Sequence, residues 1–177
     1  METKSERSAS PATAQSRPDF AIEPGPGQES VWDYPRPPAI RRDTRLLEVV
    51  ADGEFVARST SCYKVMETAS PPTFYVPRAD INFELLVPLT DTTYCEWKGT
   101  ASYWALAGDP AEPVGWSYEQ PRPRFDVIKE YLEFYPGRLD CRLGGELVKT
   151  QADRFYGGWI TSEVLGPFKG EPGTGHW

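Results

Sequence analysis

The apolar positions of this chain fall in short runs rich in β-branched and aromatic residues, punctuated by glycine and proline. From Leu46 the pattern Leu-Leu-Glu-Val-Val-Ala-Asp-Gly-Glu-Phe-Val-Ala makes two such runs about Asp52-Gly53, a dipeptide suited to the positive φ of a tight turn, and predicts a β-hairpin. A run over residues 63–68 precedes Pro71-Pro72. Thr73-Phe74-Tyr75-Val76, closed by Pro77, reads as an edge strand, because proline cannot donate to a ladder. Residues 80–87 carry no clear period. Residues 92–106 and 114–118 read as two strands about a turn at Gly108-Asp109-Pro110, the first of them long for its class. Phe125, Ile128, Tyr131 and Leu132 recur at helical spacing between prolines, which predicts one short amphipathic helix ending before Pro136-Gly137. Residues 139–143 and 147–149 return to strand character about Gly144-Gly145. The expected fold is mostly β, antiparallel sheets with one short helix.

Residues 1–28 are rich in Ser, Ala, Pro, Gly and charge, so they are expected to form a disordered tail that cannot repay the entropy of folding. The tail lacks the apolar stretch of a secretory signal, and Glu2 and Glu6 argue against a transit peptide. Residues 30–38, proline alternating with aromatics, read as an extended strap. Residues 29–150 are expected to be the β domain. Residues 151–177 alternate aromatics with glycine and proline and are expected to pack on the domain or on a partner.

Length and composition narrow the function. The 177 residues fit one domain with extensions, and 39% hydrophobic residues are enough to close a core. Lys and Arg number 19 against 26 Asp and Glu, a net charge of -7, which repels phosphate backbones and argues against nucleic acid. Runs such as Leu85-Leu86-Val87 fall far short of the ~20 residues that cross a bilayer, so no membrane partner is expected. The 3 cysteines, Cys62, Cys95 and Cys141, are odd in number and far apart, which points to a reducing, cytoplasmic setting.

The single histidine, His176, is penultimate, where chains fray, which removes Ser-His-Asp and Cys-His catalysis and His-based metal sites. No Cys-x2-Cys knuckle and no phosphate-cradling glycine loop occurs, so neither a metal nor a cofactor is expected. Chemistry is left to Cys, Lys, Tyr, Asp and Glu.

Thr92-Thr93-Tyr94-Cys95-Glu96-Trp97-Lys98-Gly99-Thr100-Ala101-Ser102-Tyr103-Trp104 is the most informative stretch. As a single strand it would set Cys95, Trp97, Gly99, Ala101 and Tyr103 on one face, two aromatic walls with small residues between. Trp116 and Tyr118 repeat the spacing on the next strand. A slot for a planar group is one reading, close packing of a neighbouring backbone against Gly99 and Ala101 the other. Cys95 is the candidate nucleophile, although a half-buried cysteine is commonly a small apolar filler. Lys98 would serve an anionic group or stand solvated, with Glu67 as its counter-charge or exposed.

These residues resemble a known family. Glu29 to Pro38, Gly53-Glu54-x-Val56-Ala57, Met66-Glu67-Thr68 with Pro71-Pro72-x-x-Tyr75-x-Pro77, Cys95-x-Trp97-Lys98-Gly99-x-Ala101-x-Tyr103 and Trp116-x-Tyr118 are similar to the domain of unknown function 427 family, over residues 29–135. A nucleotidyltransferase label attaches to that family, but the metal-binding acid pair such enzymes need is missing here. The resemblance also implies a β-tent-like architecture, two antiparallel sheets pinned at one end. Relatives of that group include cysteine-dependent reductases and aromatic-cage modules; their zinc knuckles are not carried over, whereas the cage would have Trp97, Tyr103 and Trp116 as walls. Where the family commonly has proline, this chain has Glu96.

The expected function is therefore a small-molecule-binding β domain holding a planar or nucleotide-like metabolite between Trp97, Tyr103, Trp116 and Tyr75, with Lys98 by any anionic group and Glu67 beside it. The alternatives are a thiol-dependent enzyme using Cys95 and an assembly module using the aromatic C-terminal extension. The oligomeric state is left open, a homodimer included.

Overall fold

The computed structural model describes residues 16–153 and 155–177. In chain order the strands are β1 (Glu29–Ser30), β2 (Ala39–Asp43), β3 (Leu47–Ala51), β4 (Glu54–Ser59), β5 (Cys62–Met66), β6 (Thr73–Tyr75), β7 (Leu86–Cys95) and β8 (Gly99–Leu106). They continue with β9 (Asp109–Ser117), β10 (Leu132–Phe134), β11 (Asp140–Leu143), β12 (Glu146–Leu147), β13 (Lys149–Thr150), β14 (Trp159–Ile160) and β15 (Val164–Leu165). The fold is mostly β. Sheets of order β10-β9-β8-β7, β12-β11-β3-β4 and β2-β5-β6 are antiparallel, while β1 runs parallel to β15.

The tight turns fall where their chemistry predicts. Asp52 and Gly53 both take positive φ, at 49° and 79°, and close the β3–β4 hairpin; Gly144 and Gly145 do the same between β11 and β12. Proline inside β7 and β9 is accommodated at register shifts, at Pro88 and Pro113, where the ladder needs no donor. β6 lies at the edge of its sheet, but the single bridge Val76–Leu132 links it onward to β10.

Two local expectations are corrected, and a segment without a clear period takes its form. Residues 92–106 are not one strand: β7 ends at Cys95, Glu96-Trp97-Lys98 turn the chain, and β8 starts at Gly99, which pairs back to Cys95 with φ of 105°. That positive φ is the signature of a three-residue hairpin loop followed by glycine. The helical spacing of Phe125 to Leu132 yields only a 3-10 stretch, Pro123–Ile128, kinked at Phe125. Glu130 at φ 64° stops it, and Leu132 to Phe134 are recruited by the ladder of β9. Residues 80–87 become 3-10 turns Arg78–Asp80 and Phe83–Leu85 leading into β7.

The β9–β10 ladder divides two cores. Val114, Leu132 and Phe134 join an aliphatic cluster with Leu47, Val49 and Val56, whereas Tyr103, Trp116, Tyr118 and Tyr75 belong to an aromatic one. The residues after 150 pack on the domain. Trp159 is completely buried in the aliphatic cluster and its indole donates to the carbonyl of Phe134 over 3.0 Å. Of the expected tail over 1–28, residues 1–15 lie outside the described residues; Phe20 stacks 5.2 Å from Trp177 and edge-on to Trp32, and Arg17 pairs with Glu23 and Asp33.

Candidate functional site

Cross-strand pairing puts the aromatic walls in one row. Tyr103 of β8 pairs with Trp116 of β9, which pairs with Glu133 of β10, and directly paired residues share a face of the sheet. One bridge further, Val76–Leu132 carries the row on to Tyr75, the residue before Val76, beside Glu133. On β7 and β8, Thr93 pairs with Ala101 and Cys95 with Gly99, so the small residues lie beside the rings. Tyr103 is fixed by the hydroxyl contact of 2.7 Å between it and Thr93.

A cavity of about 240 Å³ opens on this face. Glu67, Tyr75, Cys95, Trp97, Lys98, Tyr103 and Trp116 all line it. They arrive from separate segments: Tyr75 from β6, Cys95 from the end of β7, Tyr103 and Trp116 from β8 and β9, and Trp97 and Lys98 from the hairpin tip. The single-face argument for Trp97 therefore fails even though the residue reaches the cavity. What brings it there is the turn, whose indole donates to Oε1 of Glu67 across 3.2 Å.

Glu67 does not serve Lys98 as a counter-charge. Its carboxylate accepts the Trp97 indole and lies 3.7 Å from the Arg36 guanidinium. Lys98 is 9% exposed and stands 5.8 Å from the centre of the Tyr118 ring and 5.9 Å from that of Phe125, a cation over aromatic faces.

Several groups on or behind this cavity escaped the sequence reading. Tyr135 contributes a further ring, its centre 4.7 Å from that of Trp116. Gln151, Phe155, Tyr156, Gly158 and Lys169 form a wall from the C-terminal segment. Gln151 fastens that wall by accepting from Gly158 N and donating to the carbonyl of Lys169. Glu133 was hidden because its segment read as the end of a helix; the alternation Leu132-Glu133-Phe134 is the signal that marks it as inward on this face.

Electrostatically the interior favours neutral forms. Burial pushes the Tyr75 and Tyr118 hydroxyls well above the ordinary tyrosine range, so both keep their protons. Burial likewise lifts the Glu133 carboxyl far above the usual carboxylate range, with the charge of Lys98 opposing it only in part. Both Glu133 oxygens and the Tyr75 hydroxyl lack hydrogen-bond partners among the described residues. Cys95 is partly exposed on the cavity, while Cys62 and Cys141 are buried in the aliphatic cluster, their thiols pushed up by burial, Cys62 to about 11. Among the described residues no group of three His, Cys, Asp or Glu could hold a metal ion, and no helix is long and apolar enough to cross a membrane.

A family model described as a domain of unknown function (DUF427) matches residues 39–145. That span holds the cavity's sheet walls but not the segment from Gln151 onward. No curated protein matches the chain.

Proposed function

We propose, given that the chain belongs to the DUF427 family, that it is a small-molecule-binding domain whose cavity holds a planar metabolite among Trp97, Tyr103, Trp116 and Tyr75. One observation carries this reading: residues from five strands, a hairpin tip and the C-terminal segment converge on one aromatic-lined cavity of about 240 Å³. That volume lies below the roughly 300–1,000 Å³ of drug-sized pockets, so the occupant is a compact molecule of one or two rings. Exposed Tyr94, Phe155 and Tyr156 extend the aromatic surface to the rim. The partner is thus a small molecule rather than nucleic acid or membrane, met in the cytoplasm; three unpaired cysteines support that reducing setting.

Titrating a panel of planar heterocycles while following tryptophan emission tests the proposal. Binders are expected to quench Trp97 and Trp116, and Tyr103→Ala is expected to abolish the quenching. A panel that leaves emission unchanged at millimolar concentration removes the reading. A second reading rests on Cys95, which alone among the three thiols lines the cavity: a ligand with an electrophilic centre would there meet a nucleophile, and Cys95→Ser would then end turnover while leaving binding intact.

A further inference from the structure

Three polar groups line the cavity without a hydrogen-bond acceptor among the described residues. The ammonium of Lys98 forms no ion pair with any described carboxylate, although the residue is only 9% exposed. The Tyr75 hydroxyl, on a residue with 0% exposure, has no hydrogen-bond partner among the described residues. The Tyr118 hydroxyl makes no hydrogen bond among the described residues, and its ring lies 6.3 Å from that of Tyr75 and 5.8 Å from the Lys98 nitrogen. A buried donor without an acceptor, as at the Tyr75 hydroxyl, is rare in native proteins, and with the Lys98 ammonium and the Tyr118 hydroxyl lining the same cavity it calls for an acceptor from outside.

The neighbouring carboxyl groups do not supply one. Glu67 is engaged by Trp97 and Arg36, and Glu96 is exposed at the rim. Glu133, behind Trp116 and Tyr75, holds both carboxyl oxygens out of hydrogen-bond reach of Lys98 and of the two phenols, and burial raises its carboxyl toward the neutral form. Because burial also keeps both phenols protonated, they remain donors at neutral pH.

We infer that the inner end of the cavity is an anion seat, in which the Lys98 ammonium and the hydroxyls of Tyr75 and Tyr118 donate to a compact oxyanion carried by a planar ligand. This rests on the slot proposed above and narrows it: the ligand is a flat aromatic or heterocyclic acid, its carboxylate or phosphate turned inward and its ring held by the tryptophans. Charge-assisted hydrogen bonds of this kind are the strong ones, and the low dielectric around them strengthens each further.

Calorimetric titration of the full chain with 2-naphthoate, its neutral isostere 2-naphthamide and 2-naphthyl phosphate tests the seat. At least one of the two anions is expected to bind about 10-fold or more tightly than the amide, and the tighter of them identifies the oxyanion. Lys98→Met is expected to bring that anion down to the affinity of the amide while leaving the amide unchanged. Tyr118→Phe, which removes a single oxygen and leaves the packing intact, is expected to cost the anion several-fold and the amide nothing. Equal binding of amide and anions by the native chain overturns the seat while the slot stands. Binding by none of the three overturns both.

Discussion

The indole nitrogen of Trp97 reaches Oε1 of Glu67, 3.2 Å away and 30 positions earlier in the chain, and so ties the tip of the β7–β8 hairpin to the loop after β5. Nothing in the ladder holds Trp97 in place, since it belongs to the turn. Glu67→Leu is expected to free the indole, red-shift the emission of the Trp97 contribution and cost about 1–2 kcal/mol in a urea titration. Glu67→Gln, which keeps an acceptor oxygen, is expected to retain most of the native spectrum. Identical spectra for the native chain and both variants would show that the hydrogen bond does not position the ring.

Gly157 is where the C-terminal segment passes close against the aromatic wall. Its φ is 62°, and a Cβ there would lie 2.7 Å from Tyr135 Cδ1 and 2.9 Å from Trp116 Cη2. Gly157→Ala is expected to destabilise the fold by about 1–3 kcal/mol through overpacking and to alter the emission of Trp116. Gly108→Ala has open space around the added methyl and is expected to fall within about 0.5 kcal/mol of the native chain. Equal denaturation midpoints for the two variants would contradict the close approach.

The three thiols should separate cleanly in reactivity. Cys62 and Cys141 are buried, with thiols shifted upward, whereas Cys95 is partly exposed on the cavity. Alkylation at neutral pH, read by peptide mass mapping, is expected to modify Cys95 first and the other two only on unfolding. A ligand filling the cavity is expected to slow the Cys95 reaction in proportion to occupancy. Protection of Cys62 or Cys141 in its place would move the binding site elsewhere.

Glu133 makes stability depend on pH with a definite sign. The unfolded chain releases this proton near the ordinary value of 4.5, while the folded chain retains it well above that. Between those two values the folded state binds more protons, so stability falls as pH rises, with a slope of up to about 1.4 kcal/mol per unit. Glu133→Gln removes that slope, so the stability of the variant relative to the native chain is expected to improve between about pH 5 and about pH 7. Urea midpoints measured at both values check it; a constant difference would mean that the carboxyl ionises as it does in water.

Much of the fold was legible because turn chemistry is local. Asp52-Gly53 and Gly144-Gly145 mark their hairpins with residues that tolerate positive φ, and the alternation around them needs no tertiary knowledge. The Lys98-Gly99 turn went unread because an apolar-polar alternation continues straight across it, and period alone cannot distinguish a long strand from a hairpin with odd loop length. Cys95, Tyr103 and Trp116 still reach the cavity since they sit on strands whose pairing restores a common face, while Trp97 and Lys98 arrive by a different route. Leu132 to Phe134 took the spacing of a helix in sequence and the state of a strand in the structure, because the open edge of β9 offered hydrogen bonds that a short isolated helix could not match. The wall from Gln151 to Lys169 depends on contacts across the whole chain, which no local pattern encodes.

The parallel pairing of Glu29 with Val164, together with the burial of Trp159, has a consequence for synthesis. A nascent polypeptide emerging from the ribosome has its hairpins early but lacks the partner for β1, the plug of its aliphatic core and one side of its cavity until the segment beyond residue 150 has emerged. Folding to completion therefore waits for residues 159–165, and products truncated before them would leave the inner faces of their sheets open to chaperones and proteases.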